Sequence, residues 1–394
     1  MSEPAKHGSD PASDAAHHVH AMRGDEAASY WPPITRDELS RLAQLVPALQ
    51  GDLQVEWRSP RPYNAAVRVR IGPESLFVKR YSRRVRDAVA LLEEHAFVTH
   101  LRERGAAVPV LIPAKDGSTA IEVGEWSYEV HALAPGIDMY RDLHSWMAPR
   151  SPAHARALGA GLARLHEAAA GFHAPARRPR ALQGSVAVTS AADLPRGLAD
   201  FLEALPATRA YLDRSNGQQE IAEALAPWHR GLQSVLADLP SLWVHNDWHA
   251  SNVFWTDAGE SADVCFAFDF NLSNRGVAIA DIATALERNA IGWLELGRSQ
   301  AIARLDLTQA LLDGYQSQRP LEAAERAGLP WMMALAHVEY ALSEVEYFQG
   351  IVGNPDHAQL AYPEFLLGHV RWFESQEGRA YLQALAGFLS AGLR

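Results

Sequence analysis

Apolar and polar residues alternate from Ala66 to Ile71, and a second, more apolar run follows at residues 76–81. Alternation of this kind is typical of a β-strand with one buried face. The intervening Gly72-Pro73-Glu74-Ser75 is a turn sequence, so the pattern predicts a β-hairpin. Residues 119–123 and 127–133 have the pattern of two further short strands.

Helical patterns appear before and between these strands. Thr35 and Glu38 have capping-box spacing ahead of a leucine-rich repeat, so a helix is expected to begin there. Residues 86–104 place apolar side chains on one helical face, and Gly105 is a suitable terminator. The order strand, strand, helix, strands predicts an α+β lobe of roughly a hundred residues.

The chain becomes mainly helical after Ala134-Pro135-Gly136, a breaker that is a candidate hinge. A strand-rich island interrupts the helical pattern at residues 242–270. Residues 173–195, which contain several prolines and arginines, are interpreted as a mobile flap or a surface loop. Helices are expected at residues 153–170, at 198–236 and from 279 to the end.

These patterns divide the chain into three parts. Residues 1–30 lack apolar periodicity, which predicts a disordered tail. A smaller lobe with a leading helix is expected over residues 31–133, and a larger, mainly helical lobe over residues 134–394. Histidines in the tail suggest metal binding, although a solvated low-complexity segment is the favoured interpretation. The histidines in question are His17, His18 and His20.

Composition narrows the functional classes. The 394 residues are 48% hydrophobic and 21% charged, an ordinary globular mixture that is long enough for two lobes. The formal net charge of −11 has the opposite sign from that of a general nucleic-acid binder. The single cysteine, Cys265, cannot form an internal disulfide, and no apolar run is long enough to span a bilayer. We therefore expect a cytoplasmic protein that binds neither nucleic acid nor membrane.

The residues that can carry chemistry are concentrated in the strand-rich island. Asp247 lies in a polar loop, Asn252 follows five residues later, and Asp269 ends the next apolar strand. Phosphoryl transfer needs positioning, magnesium between the phosphates and a carboxylate near the attacking hydroxyl. Because magnesium prefers oxygen ligands, Asn252 and Asp269 are candidate metal ligands. Asp247 is then the candidate catalytic carboxylate.

The loop from His245 to Asn252, followed by Asp269-Phe270, resembles the catalytic and metal-binding motifs of protein-kinase-like folds. An Asp-x-Ala-x-x-Leu motif at Asp281 and a Gly-x-x-Leu-x-x-Leu-His motif at Gly159 resemble those of the aminoglycoside phosphotransferase and choline kinase superfamily. The resemblance covers roughly residues 50–375. It implies a two-lobed α+β fold with a small β-rich N-terminal lobe and a larger, mainly helical C-terminal lobe.

The same resemblance implies roles for individual residues. His245 and Asp281 would support the catalytic loop, Asp281 through hydrogen bonds. A strand lysine that meets the α and β phosphates corresponds to Lys79, and a helix glutamate that holds it corresponds to Glu94, with Glu93 as a competitor. Taken alone, Lys79 would be interpreted as a surface charge on an edge strand.

ATP and Mg²⁺ are the cofactors that the resemblance implies, with adenine contacts on the backbone of His131 and Leu133. Asn271 stands where kinases usually have glycine after Asp-Phe, and it is expected to restrict the turn. Trp248 is expected either to wall the substrate pocket or to pack beneath the loop. His249 is interpreted as a surface or loop residue. No zinc motif or Walker loop is present, and the histidines lack paired ligand spacing.

The acceptor is expected to be a hydroxylated small molecule bound by the C-terminal helices. Glu339, Ser343 and Glu346 can share a helix face, and acidic groups beside aromatic rings suit a cationic acceptor such as an aminoglycoside-like compound or an amino alcohol. A solvated acidic face backed by an aromatic core is the other interpretation. The alternative function is a nucleotide-binding pseudokinase that regulates a protein partner. A protein kinase is disfavoured because the Ala-Pro-Glu segment is absent. The oligomeric state is left open.

Overall fold

The computed structural model describes residues 18–20, 26–299 and 301–391. They form two compact units, and the chain passes from the smaller to the larger at Leu133, where the sequence predicts the lobe boundary. Residues 96–108 group with the larger unit, although they were expected in the smaller one. The physical reason is aromatic packing, since the ring of Phe97 lies 5.3 Å from that of Trp243.

The smaller unit is built on an antiparallel sheet of five described strands in the order β3-β4-β5-β7-β6. The predicted hairpin is confirmed as β4 and β5, with β5 at the centre of the sheet. The elements that begin in this unit are β1 (His18–His20), β2 (Glu26–Ala28), α1 (Arg36–Leu45), β3 (Leu53–Arg58), β4 (Ala65–Ile71), β5 (Glu74–Ser82), α2 (Ala88–Glu103), β6 (Ile121–Val123) and β7 (Trp126–Ala132).

Helix α1 begins as its sequence predicts. The Thr35 side chain accepts a hydrogen bond from the backbone N–H of Glu38, and the Glu38 carboxylate accepts one from the backbone N–H of Thr35. This reciprocal capping box is confirmed. Leu39 and Leu42 of α1 are buried in one apolar cluster with Val78 of the central strand. The helix is therefore held by tertiary packing as well as by its cap.

Part of the expected disordered tail is folded. Strands β1 and β2 pair antiparallel, Val19 is buried, and the N–H of His20 donates to the carbonyl of Pro60 at 2.8 Å. The expectation of disorder therefore fails for residues 18–20 and 26–28, because their backbone groups find partners. The rest of that prediction, including His17, lies outside the described residues.

The larger unit is mainly helical. It contains α3 (Pro152–Ala169), α4 (Leu194–Glu203), α5 (Pro206–Leu212), α6 (Gly217–Gln233), β8 (Ser241–Val244), β9 (Val253–Trp255), β10 (Val264–Ala267), β11 (Asn274–Val277), α7 (Ala278–Ala290), α8 (Leu305–Gln318), α9 (Ala323–Met332), α10 (Val338–Val345), α11 (Pro355–Gln359), α12 (Gly368–Glu374) and α13 (Gln376–Ala391). Short 3-10 turns lie at Pro47–Leu49 in the smaller unit and at Leu236–Asp238, Ala250–Asn252, Phe270–Leu272 and Trp293–Glu295 in the larger unit. Two π-helical segments of the larger unit are Glu346–Val352 and Leu360–Leu367.

Two small strand pairs lie among these helices. Strand β9 pairs with β10, and β8 pairs with β11, a strand that the sequence pattern did not predict. Cys265 on β10 is half-buried, and burial raises the pKa of its thiol. Across the described residues, no helix has the length and hydropathy that crossing a bilayer requires.

Helices α3 and α8 meet backbone to backbone at two glycines. A Cβ atom at Gly159 would lie 1.9 Å from the carbonyl oxygen of Leu311, and one at Gly314 would lie 1.9 Å from that of Arg156. Since neither backbone can move without displacing its helix, these contacts require glycine. The glycine of the Gly159 motif therefore serves close helix packing.

We expect Gly159→Ala to destabilise the protein by about 2–3 kcal/mol or more, because the added methyl overpacks a backbone contact. Gly387→Ala on α13 is the matched control, since its Cβ would meet nothing within 4 Å. That control should be neutral or stabilising by up to about 1 kcal/mol. The measurement is the free energy of unfolding in urea. Equal values for the two variants would contradict the packing argument.

Candidate active site

The polar loop that follows β8 is joined to Asp269 through the β9–β10 hairpin. The backbone N–H of Phe268 donates to the carbonyl of Asn252 at 3.1 Å. This pairing places Asn252 opposite the residue that directly precedes Asp269. The local folding of residues 252–269 therefore brings together two of the three chemistry-bearing residues that the sequence singled out.

Asp281, in the first turn of α7, holds the backbone of the loop. One carboxylate oxygen accepts from the N–H of His245 at 2.7 Å, and the other accepts from the N–H of Asn246 at 2.8 Å. His166 Nε2 lies 3.1 Å from the first oxygen. Burial alone would raise the pKa of Asp281, but hydrogen bonding and charge from His166 and His245 outweigh it and lower the pKa. The fully buried side chain is thus an ionised acceptor.

The side chain of His245 fixes the loop from within. Its Nδ1 accepts from the N–H of Asp247 at 3.2 Å, so the proton lies on Nε2, which donates to the carbonyl of Phe268 at 3.0 Å. Burial lowers the pKa of His245, opposed by the charge of Asp281, which agrees with a neutral ring. His245 therefore links the loop to the strand that leads into Asp269, with no nitrogen left for acid–base chemistry.

Asp247 lies at the centre of a polar cluster. Its Oδ2 accepts from the side-chain amide of Asn252 at 2.9 Å, and its Oδ1 contacts a guanidinium nitrogen of Arg288. His249 Nε2 lies 3.4 Å from the same Oδ1. The side chain of Asp247 is 17% exposed, so the carboxylate is held by these contacts and still reaches solvent.

Arg288 was missed by the sequence analysis. It lies on α7, is buried, and places its guanidinium 5.3 Å from the ring centres of both Trp146 and Tyr340. The available signal was its position seven residues after Asp281, which puts both residues on one helical face. The fixed cation beside Asp247 is therefore stabilised by aromatic faces as well as by the carboxylate.

The side chains of Asn252 and Asp269 fit a magnesium ion. The amide nitrogen of Asn252 is used in the hydrogen bond to Asp247, which leaves its oxygen as the available ligand atom. Asp269 adopts a left-handed conformation with φ of 64°, and its Oδ1 accepts from Asn271 at 2.5 Å. One amide and one carboxylate oxygen are the kind of ligands that magnesium takes from protein. Asn271 thus orients Asp269 in this turn.

Lys79 lies on the central strand of the five-stranded sheet and is 7% exposed, so the interpretation as an edge-strand surface charge is wrong. Its Nζ lies 3.8 Å from Oε1 of Glu129, which is directly opposite on β7. Glu129 also accepts from the hydroxyl of Tyr81 at 2.8 Å and lies 2.8 Å from His95 and 3.2 Å from His131. The lysine is therefore held by a fully buried carboxylate.

The sequence analysis assigned no role to Glu129, although it lies two residues before His131, a predicted adenine contact. Burial would raise its pKa, but attraction and hydrogen bonding from His131, a hydrogen bond from His95 and the charge of Lys79 hold the pKa well below its usual value. A lone glutamate inside an apolar strand, opposite a lysine in the neighbouring strand, was the signal that could have found it.

The other predicted nucleotide contacts stay predictions. Glu94 on α2 is buried while Glu93 is half-buried, which favours Glu94 for an interior role. His131 places its ring against Glu129, and the side chain of Leu133 is exposed. The backbone of these two residues remains the predicted adenine contact.

The segment at residues 173–195 is only partly a surface loop, because exposed residues alternate with buried ones along it. Arg177 is buried, and its guanidinium donates to the carbonyls of Asn271 at 3.1 Å and Ser273 at 2.9 Å. Its backbone N–H donates to the side chain of Asn274 at 2.8 Å. The buried part of the segment packs against the larger unit, and Arg177 holds the turn after Asp269.

The three residues expected to offer a cation-binding face are occupied with structural hydrogen bonds. Glu339 Oε1 accepts from the N–H groups of Val188 at 2.9 Å and Thr189 at 3.0 Å. The Ser343 hydroxyl accepts from the N–H of Gln183 at 3.1 Å, and Glu346 accepts from the N–H of Thr208 at 2.8 Å. Both alternative interpretations of this face are therefore wrong, because Glu339 and Ser343 are buried against other parts of the unit.

Of the two residues after Asp247, Trp248 takes one of its two expected positions, whereas His249 does not lie at the surface. Trp248 packs beneath the loop, where it is 1% exposed and donates to the carbonyl of Leu158 at 3.0 Å. His249 is buried instead of lying at the surface, with Nδ1 2.8 Å from the hydroxyl of Ser251. Asn289 on α7 accepts from the N–H of Ala250 at 3.0 Å. Helix α7 therefore supports both halves of the loop.

The comparisons with known proteins agree with this geometry. A family model described as the phosphotransferase enzyme family matches residues 63–321, which is more than half of the chain. The chain therefore belongs to this phosphotransferase family, as its motifs predicted.

Among curated relatives, homoserine kinases match part of the chain. The homoserine kinase of Gluconacetobacter diazotrophicus is 29% identical over 251 residues, which cover 62% of this chain and 66% of that protein. The homoserine kinase of Caulobacter vibrioides is 27% identical over 248 residues, which cover 63% of this chain and 68% of the relative. The chain thus spans about two thirds of the length of these relatives.

Solved structures share the fold at low identity. A microcompartment-associated aminopropanol kinase matches with a TM-score of 0.57 and 17% identity, over 86% of this chain and 97% of its own. An amicoumacin kinase, solved with AMP-PNP and Ca²⁺, matches with a TM-score of 0.55 and 15% identity, over 85% of this chain and 92% of its own. The predicted α+β kinase-like fold is confirmed.

Glu339 gives a pH-dependent prediction. Burial raises its pKa to about 7, partly offset by hydrogen bonds from Thr189 and Val188, while its Oε2 has no partner. A folded-state pKa above the unfolded value means that its contribution to stability is complete at pH 4 and is lost as the pH rises through about 7. Gln at this position keeps an accepting oxygen and cannot ionise.

We therefore expect the unfolding free energy of Glu339→Gln, relative to the unsubstituted protein, to increase between pH 5 and pH 8 by roughly 2–3 kcal/mol. Chemical denaturation at several pH values measures this difference. Glu203→Gln on the exposed side of α4 is the control and should give a constant difference. A flat profile for Glu339→Gln would show that this carboxyl is ionised throughout the range.

Proposed function

We propose that the protein transfers the γ-phosphoryl group of ATP to a hydroxyl of a small molecule, with Asp247 as the carboxylate at the attacking hydroxyl. The observation that carries this proposal is the arrangement of the Asp247 loop. Asp281 fixes its backbone at two N–H groups, and Asn252 and Arg288 hold the carboxylate. A preorganised carboxylate that still reaches solvent is suited to accept or orient a proton.

On the donor side, Asn252 and Asp269 would hold Mg²⁺, which when bound neutralises charge on the phosphates. Lys79 would supply a positive charge to the α and β phosphates, held by Glu129 and, as predicted, by Glu94. The backbone of His131 and Leu133 would contact adenine. In phosphoryl transfer the protein performs little covalent chemistry and acts mainly by positioning the reactants and stabilising charge. Each role proposed for these residues is of one of these two kinds.

On the acceptor side, we propose a short hydroxylated amino acid or amino alcohol. Homoserine kinases are among the curated relatives, and one structural neighbour is an aminopropanol kinase. Arg288 is the fixed charge that contacts Asp247, whereas Glu339 and Glu346 are engaged with backbone groups. A guanidinium has several donors in a fork that matches a carboxylate. Of the two, this favours the hydroxylated amino acid, which carries a carboxylate next to its amine, over the amino alcohol.

Turnover of ATP with Mg²⁺ and a panel of acceptors tests the proposal. The panel contains homoserine, aminopropanol and an aminoglycoside. Asp247→Asn preserves shape and removes the proton acceptor, so kcat is expected to fall roughly 10²–10⁴-fold while ATP binding survives. Asp257→Asn, in the exposed β9–β10 turn, is the matched control and should leave kcat unchanged.

Unchanged turnover in Asp247→Asn would refute the assigned role of this carboxylate. Nucleotide binding without phosphate transfer to any acceptor in a broad metabolite panel would instead favour the alternative of a pseudokinase that regulates a protein partner. If acceptors without a carboxylate are used as efficiently as those with one, the role given to Arg288 fails while kinase activity stands.

A further inference from the structure

Three buried side chains from separate helices converge beside α7. Glu287 comes from the last turns of α7, His337 directly precedes α10, and His369 lies in α12. They are 3%, 3% and 5% exposed, respectively. None of the proposed catalytic or magnesium-binding roles uses these three residues.

Their ligand atoms lie close together. Nδ1 of His369 is 2.8 Å from Oε1 of Glu287, and Nδ1 of His337 is 3.9 Å from the same oxygen. One nitrogen or oxygen from each of the three residues lies within 4.8 Å of the other two. Ligands at about 2.0–2.1 Å from a tetrahedral zinc ion are roughly 3.3 Å apart, so small side-chain rotations would complete this geometry.

The orientation of His337 points to a ligand. Its Nε2 lies 3.0 Å from the carbonyl of Leu366, which can only accept, so the proton of the neutral ring resides on Nε2. Nδ1 then carries a lone pair, and this buried nitrogen has no hydrogen-bond partner. A backbone carbonyl that fixes the tautomer while the other nitrogen faces a carboxylate is the usual arrangement of a metal-binding histidine.

The surroundings of the cluster are apolar. The ring of Trp293 stacks on His369 with centres 3.6 Å apart, and Phe365 meets the same imidazole edge to face at 4.7 Å. Such a shell excludes water and holds the imidazole in one orientation. A metal ion in this cluster would lie near the positive charge of Arg288. The contact of Arg288 with Asp247 partly balances that charge.

The protonation states of the cluster agree with this orientation. Burial lowers the pKa of His337 to about 4, with Leu366 opposing and Arg288 adding to the effect. Burial and His337 lower that of His369 well below its usual value. Both rings are neutral, as metal ligation requires. Burial raises the pKa of Glu287 to about 8, which indicates a carboxylate without sufficient positive charge beside it.

We propose that Glu287, His337 and His369 form a binding site for one divalent transition-metal ion of the Zn²⁺ class, distinct from the magnesium site. Two imidazole nitrogens and one carboxylate oxygen suit zinc or a neighbouring first-row metal better than magnesium or calcium. Because the ligands come from α7, from the start of α10 and from α12, the ion would cross-link three helices. The isolated sequence gave no ligand motif because the three positions are 50 and 32 residues apart.

The test titrates Zn²⁺ into the full-length, tag-free, EDTA-treated protein without nucleotide. We expect about one equivalent to bind and the melting temperature to rise, since the ion binds the folded state. Glu287→Gln, His337→Gln and His369→Gln should each weaken zinc binding by at least about tenfold. Isothermal titration and elemental analysis after gel filtration measure affinity and stoichiometry.

Matched controls separate this site from other zinc-binding groups. His154 is also buried, with Nε2 2.9 Å from the carbonyl of Gly259 and an unpartnered Nδ1, but it belongs to no ligand cluster in the part of the chain that the structure describes. His154→Gln should therefore bind zinc as the unsubstituted protein does. Asp269→Asn and a variant with glutamine at His17, His18 and His20 should also retain the site.

A spectroscopic measurement on the unsubstituted protein guards against variants that fail to fold. X-ray absorption of the zinc-loaded protein should show only nitrogen and oxygen neighbours at about 2.0–2.1 Å, with the scattering signature of two imidazoles. The proposal is overturned if zinc binding is absent, if it disappears with the tail histidines, or if the three ligand variants bind as tightly as His154→Gln. None of these outcomes depends on kinase activity.

Discussion

The architecture of the site depends on one buried carboxylate. Asp281 has two oxygens, and each binds one of two successive backbone N–H groups, at His245 and Asn246. This bidentate contact compensates for the left-handed conformation of Asn246, with φ of 60°, which few residues adopt without support. His166 supplies the opposing hydrogen bond that keeps the acid ionised in the interior. This contact fixes the backbone of the loop, and Asn252 and Arg288 then hold the Asp247 carboxylate in one orientation.

Helix α7 shows how much polarity one buried element can carry when each group is matched. All thirteen of its residues are buried, although they include Asp281, Glu287, Arg288 and Asn289. Asp281 and Asn289 bind loop backbone, Arg288 pairs with Asp247, and Glu287 meets His369. Burying such groups costs several kcal/mol unless they are paired, so the sequence of this helix is constrained by partners on several sides. The active loop and the proposed zinc site thus share one supporting element.

The sequence alone was sufficient to predict most of the regular elements and to single out the candidate residues that lie in ordered motifs. Alternation, helical periodicity and the Thr35 capping box predicted β4, β5, α1 and α2 because burial of regular structure leaves a periodic trace. Strand β11 shows no such periodic pattern, because it is only four residues long and begins with the polar residues Asn274 and Arg275. The buried positions within residues 173–195, such as Arg177, are held by hydrogen bonds to groups that are distant in sequence, which no local pattern records. Glu129 and Arg288 were missed for the same reason, because their partners are set by tertiary pairing.

The buried segment around Arg177 also has an evolutionary consequence. At one end, its Arg177 side chain donates hydrogen bonds to the turn after Asp269. At the other end, its backbone N–H groups donate to Glu339 and Ser343 of α10. Substitutions in α10 that displace Glu339 or Ser343 would therefore be transmitted to the turn that carries Asp269. The effects of such substitutions are expected to be epistatic. Changes in α10 would be tolerated only together with compensating changes in the segment between α3 and α4.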